Sequence, residues 1–169
     1  MGAKYCLLAI LDDDAQKRLS DMSERLTKEG FGYMRYIPYH ITLWDSDKID
    51  EQTLTHFEKI CFATPAFQTA LCSVGLFGLA VVFLAPLPCL PLFTLEQKIS
   101  GQINNVPCGW VPHVTIRMGE QEYIKKVVPM IAELFTPFTV RIEHVELYEC
   151  GEGYANLVHG FCLAGGESH

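Results

Sequence analysis

A duplicated α+β fold is what the sequence predicts, on three observations. Segments with helical spacing of apolar residues alternate with short runs rich in β-branched and aromatic residues. The order helix, His-x-Thr strand, helix, strand, strand occurs twice. Each copy ends its second helix on Thr-Pro, where proline disfavours a further turn; Thr64-Pro65 and Thr136-Pro137 lie 24 and 23 residues after His40 and His113. At 169 residues the chain is the size of one domain. The expected organisation is a single domain over residues 1–165, with repeats at about 14–87 and 92–164.

Each element follows from its local pattern. Tyr5–Leu11 is a short apolar run and reads as a buried strand. Over Asp12–Glu29, Ala15, Leu19, Met22 and Leu26 fall on one helical face. Acidic residues open this helix, where its dipole favours them, and Gly30 closes it. His40–Trp44 is a strand, and Asp50–Cys61 a helix with Leu54, Phe57 and Cys61 on one side. A hairpin follows, then a third helix over Pro91–Ile103 that buries Leu92, Leu95, Ile99 and Ile103. His113–Arg117 is again a strand and Glu120–Phe135 a helix; Phe138–Tyr148 and Tyr154–Leu163 are strands joined through Gly151-Glu152-Gly153.

The hairpin lies in an unusually apolar region, with no charged residue between Lys59 and Glu96. Leu71–Phe93 is long enough to span a bilayer. Gly75 and Gly78 divide it, however, and Pro86, Pro88 and Pro91 follow in quick succession. The pieces Phe67–Leu76 and Val81–Ala85 therefore read as a buried β-hairpin inside a protein with no membrane partner. Seven cysteines, an odd number without any Cys-x-x-Cys spacing, point to free thiols in a reducing cytoplasm. The formal charge of −7, with no Lys/Arg cluster, argues against a long duplex nucleic acid, whose phosphates demand a basic surface. Nothing in the pattern calls for assembly, and a monomer is expected.

Chemistry concentrates in His40-Ile41-Thr42 and His113-Val114-Thr115. One such motif would be weak, but two of six histidines in this setting, at equivalent repeat positions, are not a matter of composition. Side chains alternate along a strand. The expected groove face therefore carries His40, Thr42 and Trp44 from one strand and His113, Thr115 and Arg117 from the other. Ile41, Leu43, Val114, Ile116 and Met118 turn toward the core. Opening a cyclic phosphodiester with water needs a base for the water proton and an acid for the departing ribose oxygen. Histidine serves in either role near neutrality. Threonine hydroxyls can donate to the non-bridging oxygens as charge builds on them. Trp44 is a candidate platform for a base, and Arg117 a planar fork for phosphate. His56, His144 and His159 lack the motif and are expected to be structural or exposed. No His-Glu-x-x-His or paired-cysteine signature is present, so neither metal nor cofactor is expected. Tyr33, Tyr36 and Tyr39 form an aromatic run before the first motif; rimming the groove and packing explain it equally well.

With these residues in view, the sequence resembles the 2H phosphoesterase superfamily, whose members include the bacterial 2′-5′ RNA ligase and the 2′,3′-cyclic phosphodiesterases. The resemblance spans essentially the whole chain, including the apolar hairpin between the two motifs. It implies two antiparallel sheets facing a central cleft, with helices on the outer faces. It also implies His40 and His113 as the acid–base pair and Thr42 and Thr115 as phosphate-binding hydroxyls. The implied substrate is a small cyclic nucleotide or an RNA 3′ end carrying a 2′,3′-cyclic or related phosphate. Some members join RNA ends in the reverse direction. A non-catalytic nucleotide- or RNA-end-binding module of the same fold is the rival reading.

Overall fold

Local signals set the element ends. The Asp12 carboxylate accepts from the Ala15 amide at 2.9 Å and opens helix α1, Asp13–Lys28. Asp50 does the same through the Thr53 amide, at 2.8 Å, for α2, Glu51–Phe62. Each cap satisfies a backbone donor that the first turn leaves unpaired. Helix α3, Leu90–Ser100, has proline in its first turn and stops at Gly101, whose φ of 62° suits a residue without Cβ. Helix α4 is Gln121–Leu134. The strands are β1 (Lys4–Leu11), β2 (His40–Ser46), β3 (Phe67–Phe77), β4 (Val81–Pro86), β5 (Val114–Met118), β6 (Phe138–Gly151) and β7 (Tyr154–Cys162). The computed structural model describes residues 4–101 and 109–166. Ile103, the expected end of the third helix, lies outside them, as do Cys108 and His169.

The apolar stretch forms the hairpin β3–β4, running from Phe77 paired with Val81 to Leu71 paired with Pro86. Among the described residues no helix is long and apolar enough to cross a membrane. The six described cysteines are free thiols.

All strand pairs are antiparallel, and the order is β2-β1-β6-β3-β4-β5, with β7 also on β6. The long strand β6 serves two layers. Its start, Phe138–Ile142, pairs with β3; beyond that, it pairs with β1 on one edge and β7 on the other. One layer is therefore β7-β6-β1-β2, and the other is β6-β3-β4-β5. Helices α2 and α3 pack against the first layer, through β7 and β2; α1 and α4 pack on each other and on β6 and β4. The two sequence repeats interleave in this arrangement. In the single seven-stranded sheet the first His-x-Thr strand lies on the β1–β6–β7 side and the second on the β3–β4 side. Neither repeat holds a complete sheet of its own, so burial of either apolar layer requires both. Each motif strand ends its layer, and the two ends meet, with β2 in contact with β5.

Candidate active site

The entry to β2 is held by α1. Gln16 clamps the backbone of Tyr39 on both sides: its amide nitrogen donates to the Tyr39 carbonyl at 2.7 Å, and its oxygen accepts from the Tyr39 amide at 2.8 Å. The buried Tyr39 hydroxyl donates to the Leu19 carbonyl at 3.1 Å. The residue before His40 is thus fixed by a helix rather than left on a free loop.

Both motif histidines then repeat one geometry. Nδ1 of His40 lies 2.7 Å from the Pro38 carbonyl oxygen, and Nδ1 of His113 lies 2.8 Å from that of Val111. A carbonyl only accepts, so each Nδ1 carries a proton and donates it. That leaves Nε2 as the nitrogen able to take or give a proton in both rings. His113 also packs edge-on against a touching pair of aromatic rings, with centroids 4.7 Å from Phe77 and 5.4 Å from Phe83. Burial pushes the His40 imidazole down to about 4, opposed by the Pro38 carbonyl and reinforced by the neighbouring Arg35 and His113. His40 is therefore neutral at neutral pH.

Thr42 and Thr115 are half-buried beside their histidines. Cross-strand partners share a face. His40 pairs with Ile10, Thr42 with Leu8, and Thr115 with Phe83. Ile41 pairs with Ala9 and Val114 with Leu84, all four in the main apolar core. The expected alternation thus holds as far as the threonines.

It then breaks, at the same place in both strands. Thr42 pairs with Leu8 but Trp44 with Leu7, so Leu43 is an extra residue. Thr115 pairs with Phe83 but Arg117 with Val82, so Ile116 is extra. Such a bulge reverses the facing of everything beyond it. Trp44 turns to the helix side and meets Phe57 of α2 edge-on, with ring centroids 5.1 Å apart. Arg117 is fully buried. Its Nε donates to the Phe31 carbonyl (3.3 Å) and its Nη1 to the Ile116 carbonyl (2.8 Å). Its Nη2 donates to the Ser23 carbonyl (3.2 Å) and hydroxyl (2.9 Å). The expectation that these two residues would face a ligand is corrected: both brace the core behind the motifs.

Arg35, which no spacing rule singles out, is a cation that reaches the groove instead. It leaves the loop before β2, donates to the Thr115 carbonyl at 2.7 Å and stacks over the Tyr39 ring at 4.0 Å. Burial lowers its affinity for its proton. A pocket of about 320 Å³ joins Arg35, His40 and Thr115 to Tyr33, Tyr36 and Tyr154. The aromatic run therefore divides, with Tyr39 in the core and Tyr33 and Tyr36 on the pocket wall. A larger concavity of about 740 Å³, at the start of α1, includes His144 but neither motif. Among the described residues no group of three or more His, Cys, Asp or Glu is placed to hold a metal ion.

Comparison with known proteins agrees with this architecture. The fold matches apo LigT of E. coli with a TM-score of 0.64 at 16% identity, covering 96% of this chain and 98% of LigT. LigT complexed with ATP matches with a TM-score of 0.66 at 15% identity, covering 97% and 99%. TT0787 of Thermus thermophilus matches at 0.65 and 14% identity, covering 98% and 100%. No curated protein sequence matches the chain. The family model described as the 2′-5′ RNA ligase superfamily matches residues 11–153, a span that contains both motifs, and the chain belongs to that superfamily.

Proposed function

We propose that the protein is a metal-independent phosphoesterase that hydrolyses a 2′,3′-cyclic or related cyclic nucleotide phosphate by two-histidine acid–base catalysis. The observation that carries this reading is the matched pair of Nδ1 hydrogen bonds, which leaves one proton-transfer nitrogen per motif. His40, neutral through burial, is the base. Its Nε2 takes a proton from water as the water oxygen bonds to phosphorus. The bond from phosphorus to the leaving ribose oxygen breaks on the far side, and His113 Nε2 protonates that oxygen. The Thr42 and Thr115 hydroxyls donate to the non-bridging oxygens, on which charge builds in the transition state. Proton exchange with solvent resets both rings.

The pocket wall of Tyr33, Tyr36 and Tyr154 offers flat surfaces to a nucleoside. Structures of LigT complexed with 3′-AMP, phosphate, ATP and NADP+ support a small nucleotide as the ligand class. The net charge of −7 disfavours a long duplex. A reducing, cytoplasmic setting suits the free thiols of the described residues.

The test is turnover. The purified chain is incubated with the four 2′,3′-cyclic nucleotides, ADP-ribose cyclic phosphate and short RNAs ending in a cyclic phosphate, and products are followed by ³¹P NMR. Ring opening of at least one is expected; binding without turnover of any would leave a non-catalytic module in its place.

A further inference from the structure

The motif strands β2 and β5 are the two end strands of the sheet path, each paired along one edge only. An end strand leaves backbone groups on its outer edge without a ladder partner. Two of these, the Thr42 and Thr115 carbonyls, are met from the opposite motif. Arg35, in the lead-in to His40, donates through Nη2 to the Thr115 carbonyl at 2.7 Å. Trp110, in the lead-in to His113, donates through Nε1 to the Thr42 carbonyl at 3.0 Å. The two contacts are reciprocal: each lead-in segment holds the threonine of the other motif.

We propose that Arg35 and Trp110 are paired positioning residues that fix the two His-x-Thr strands against each other across the groove. Resting on the two-histidine reading above, this adds what sets the separation of the two rings. Among the described residues no ladder hydrogen bonds join β2 to β5, so the sheets alone leave that separation free to vary. A misplacement of about 1 Å between reacting groups can cost ~10²-fold in rate. Both braces are themselves held. Arg35 lies over Tyr39, at 4.0 Å from the ring centroid, and Tyr39 is bonded to α1. Trp110 stands edge-on to Phe93 of α3, with ring centroids 5.5 Å apart. Each brace therefore ties its contact to a helix. The guanidinium also adds positive charge near His40, an effect in the same direction as burial.

The experiment compares Arg35→Met and Trp110→Phe, which remove the donors and keep much of the packing, with Arg35→Lys, which restores one donor. In the turnover assay the first two should lower kcat by ~10-fold or more with KM changed less than ~3-fold. Arg35→Lys should recover most of the loss. In parallel, the ring-proton NMR signals of both histidines are followed through a pH titration, which requires no activity. Arg35→Met should shift the His113 signals, through Thr115, and raise the pH at which His40 titrates. Trp110→Phe should shift the His40 signals, through Thr42. Changes confined to the histidine nearest in sequence, or kcat unchanged in both donorless variants, would overturn the proposal. If the wild type turned over no substrate, the function would fail while the cross-lobe NMR shifts still decided the brace.

Discussion

Arg117→Met separates the two roles that this arginine could have. Its guanidinium places four of its five N–H donors on Phe31, Ile116 and Ser23, inside a fully buried site. No carboxylate is among those partners; the contacts are carbonyls, one hydroxyl and the Tyr33 ring, 5.5 Å away. Methionine keeps much of the apolar stem but leaves up to three carbonyls short of a donor, at about 1–3 kcal/mol each. Relief from burying a charge offsets part of that, so a net loss of about 2–4 kcal/mol is expected. For a domain of this size the melting temperature should fall by roughly 5–15 °C. Thermal unfolding and urea titration measure the loss, and steady-state kinetics on the folded fraction should give an unchanged KM. An unaltered melting point together with a KM raised ~10-fold would refute the assignment and return Arg117 to the ligand.

Two further outcomes follow from the same structure. The unfolded chain protonates His40 near pH 6.5, whereas the folded chain resists until about 4. Between these values the unfolded state holds more protons, so stability rises with pH and is lost as pH falls toward 4. The slope from this residue is at most about 1.4 kcal/mol per pH unit. Urea midpoints between roughly pH 4.5 and 6.5 should vary less in His40→Gln; an identical slope would contradict the burial argument. Gly75 faces Phe83 across the hairpin so closely that an added Cβ would overlap the ring. Gly75→Ala should therefore cost about 1–3 kcal/mol and lower kcat by displacing the ring that supports His113. The double variant Gly75→Ala/Phe83→Leu should regain stability, and failure to do so would place the strain elsewhere.

Much of this was legible in the sequence, because the signals involved are local. The acidic opening of the first helix, the Thr-Pro helix ends and the apolar spacing each act within a few residues, and the elements fall where they point. The hairpin could be told from a membrane span because glycines and prolines interrupt the run. Trp44 and Arg117 were misplaced because strand parity assumes an uninterrupted ladder. A bulge is decided by the partner strand, and nothing in His-Ile-Thr-Leu-Trp or His-Val-Thr-Ile-Arg marks the extra residue. Arg35 and Trp110 were invisible for a related reason. Their partners lie 80 and 68 residues away, across an interleaving of repeats that only the shared strand β6 creates.

The central claim is that His40 and His113 exchange protons with substrate and bind no metal to do so. Rates of 2′,3′-cyclic nucleotide hydrolysis by the wild type, His40→Ala, His113→Ala and the double variant, with and without EDTA, address it directly. Each single variant should lose at least ~10²-fold in kcat, as expected for a missing general acid or base. The double variant should lose far less than the product of the two, because the pair acts as a unit, and the chelator should change nothing. Activity abolished by EDTA and restored by zinc or magnesium, or single variants within a few-fold of wild type, would contradict the account.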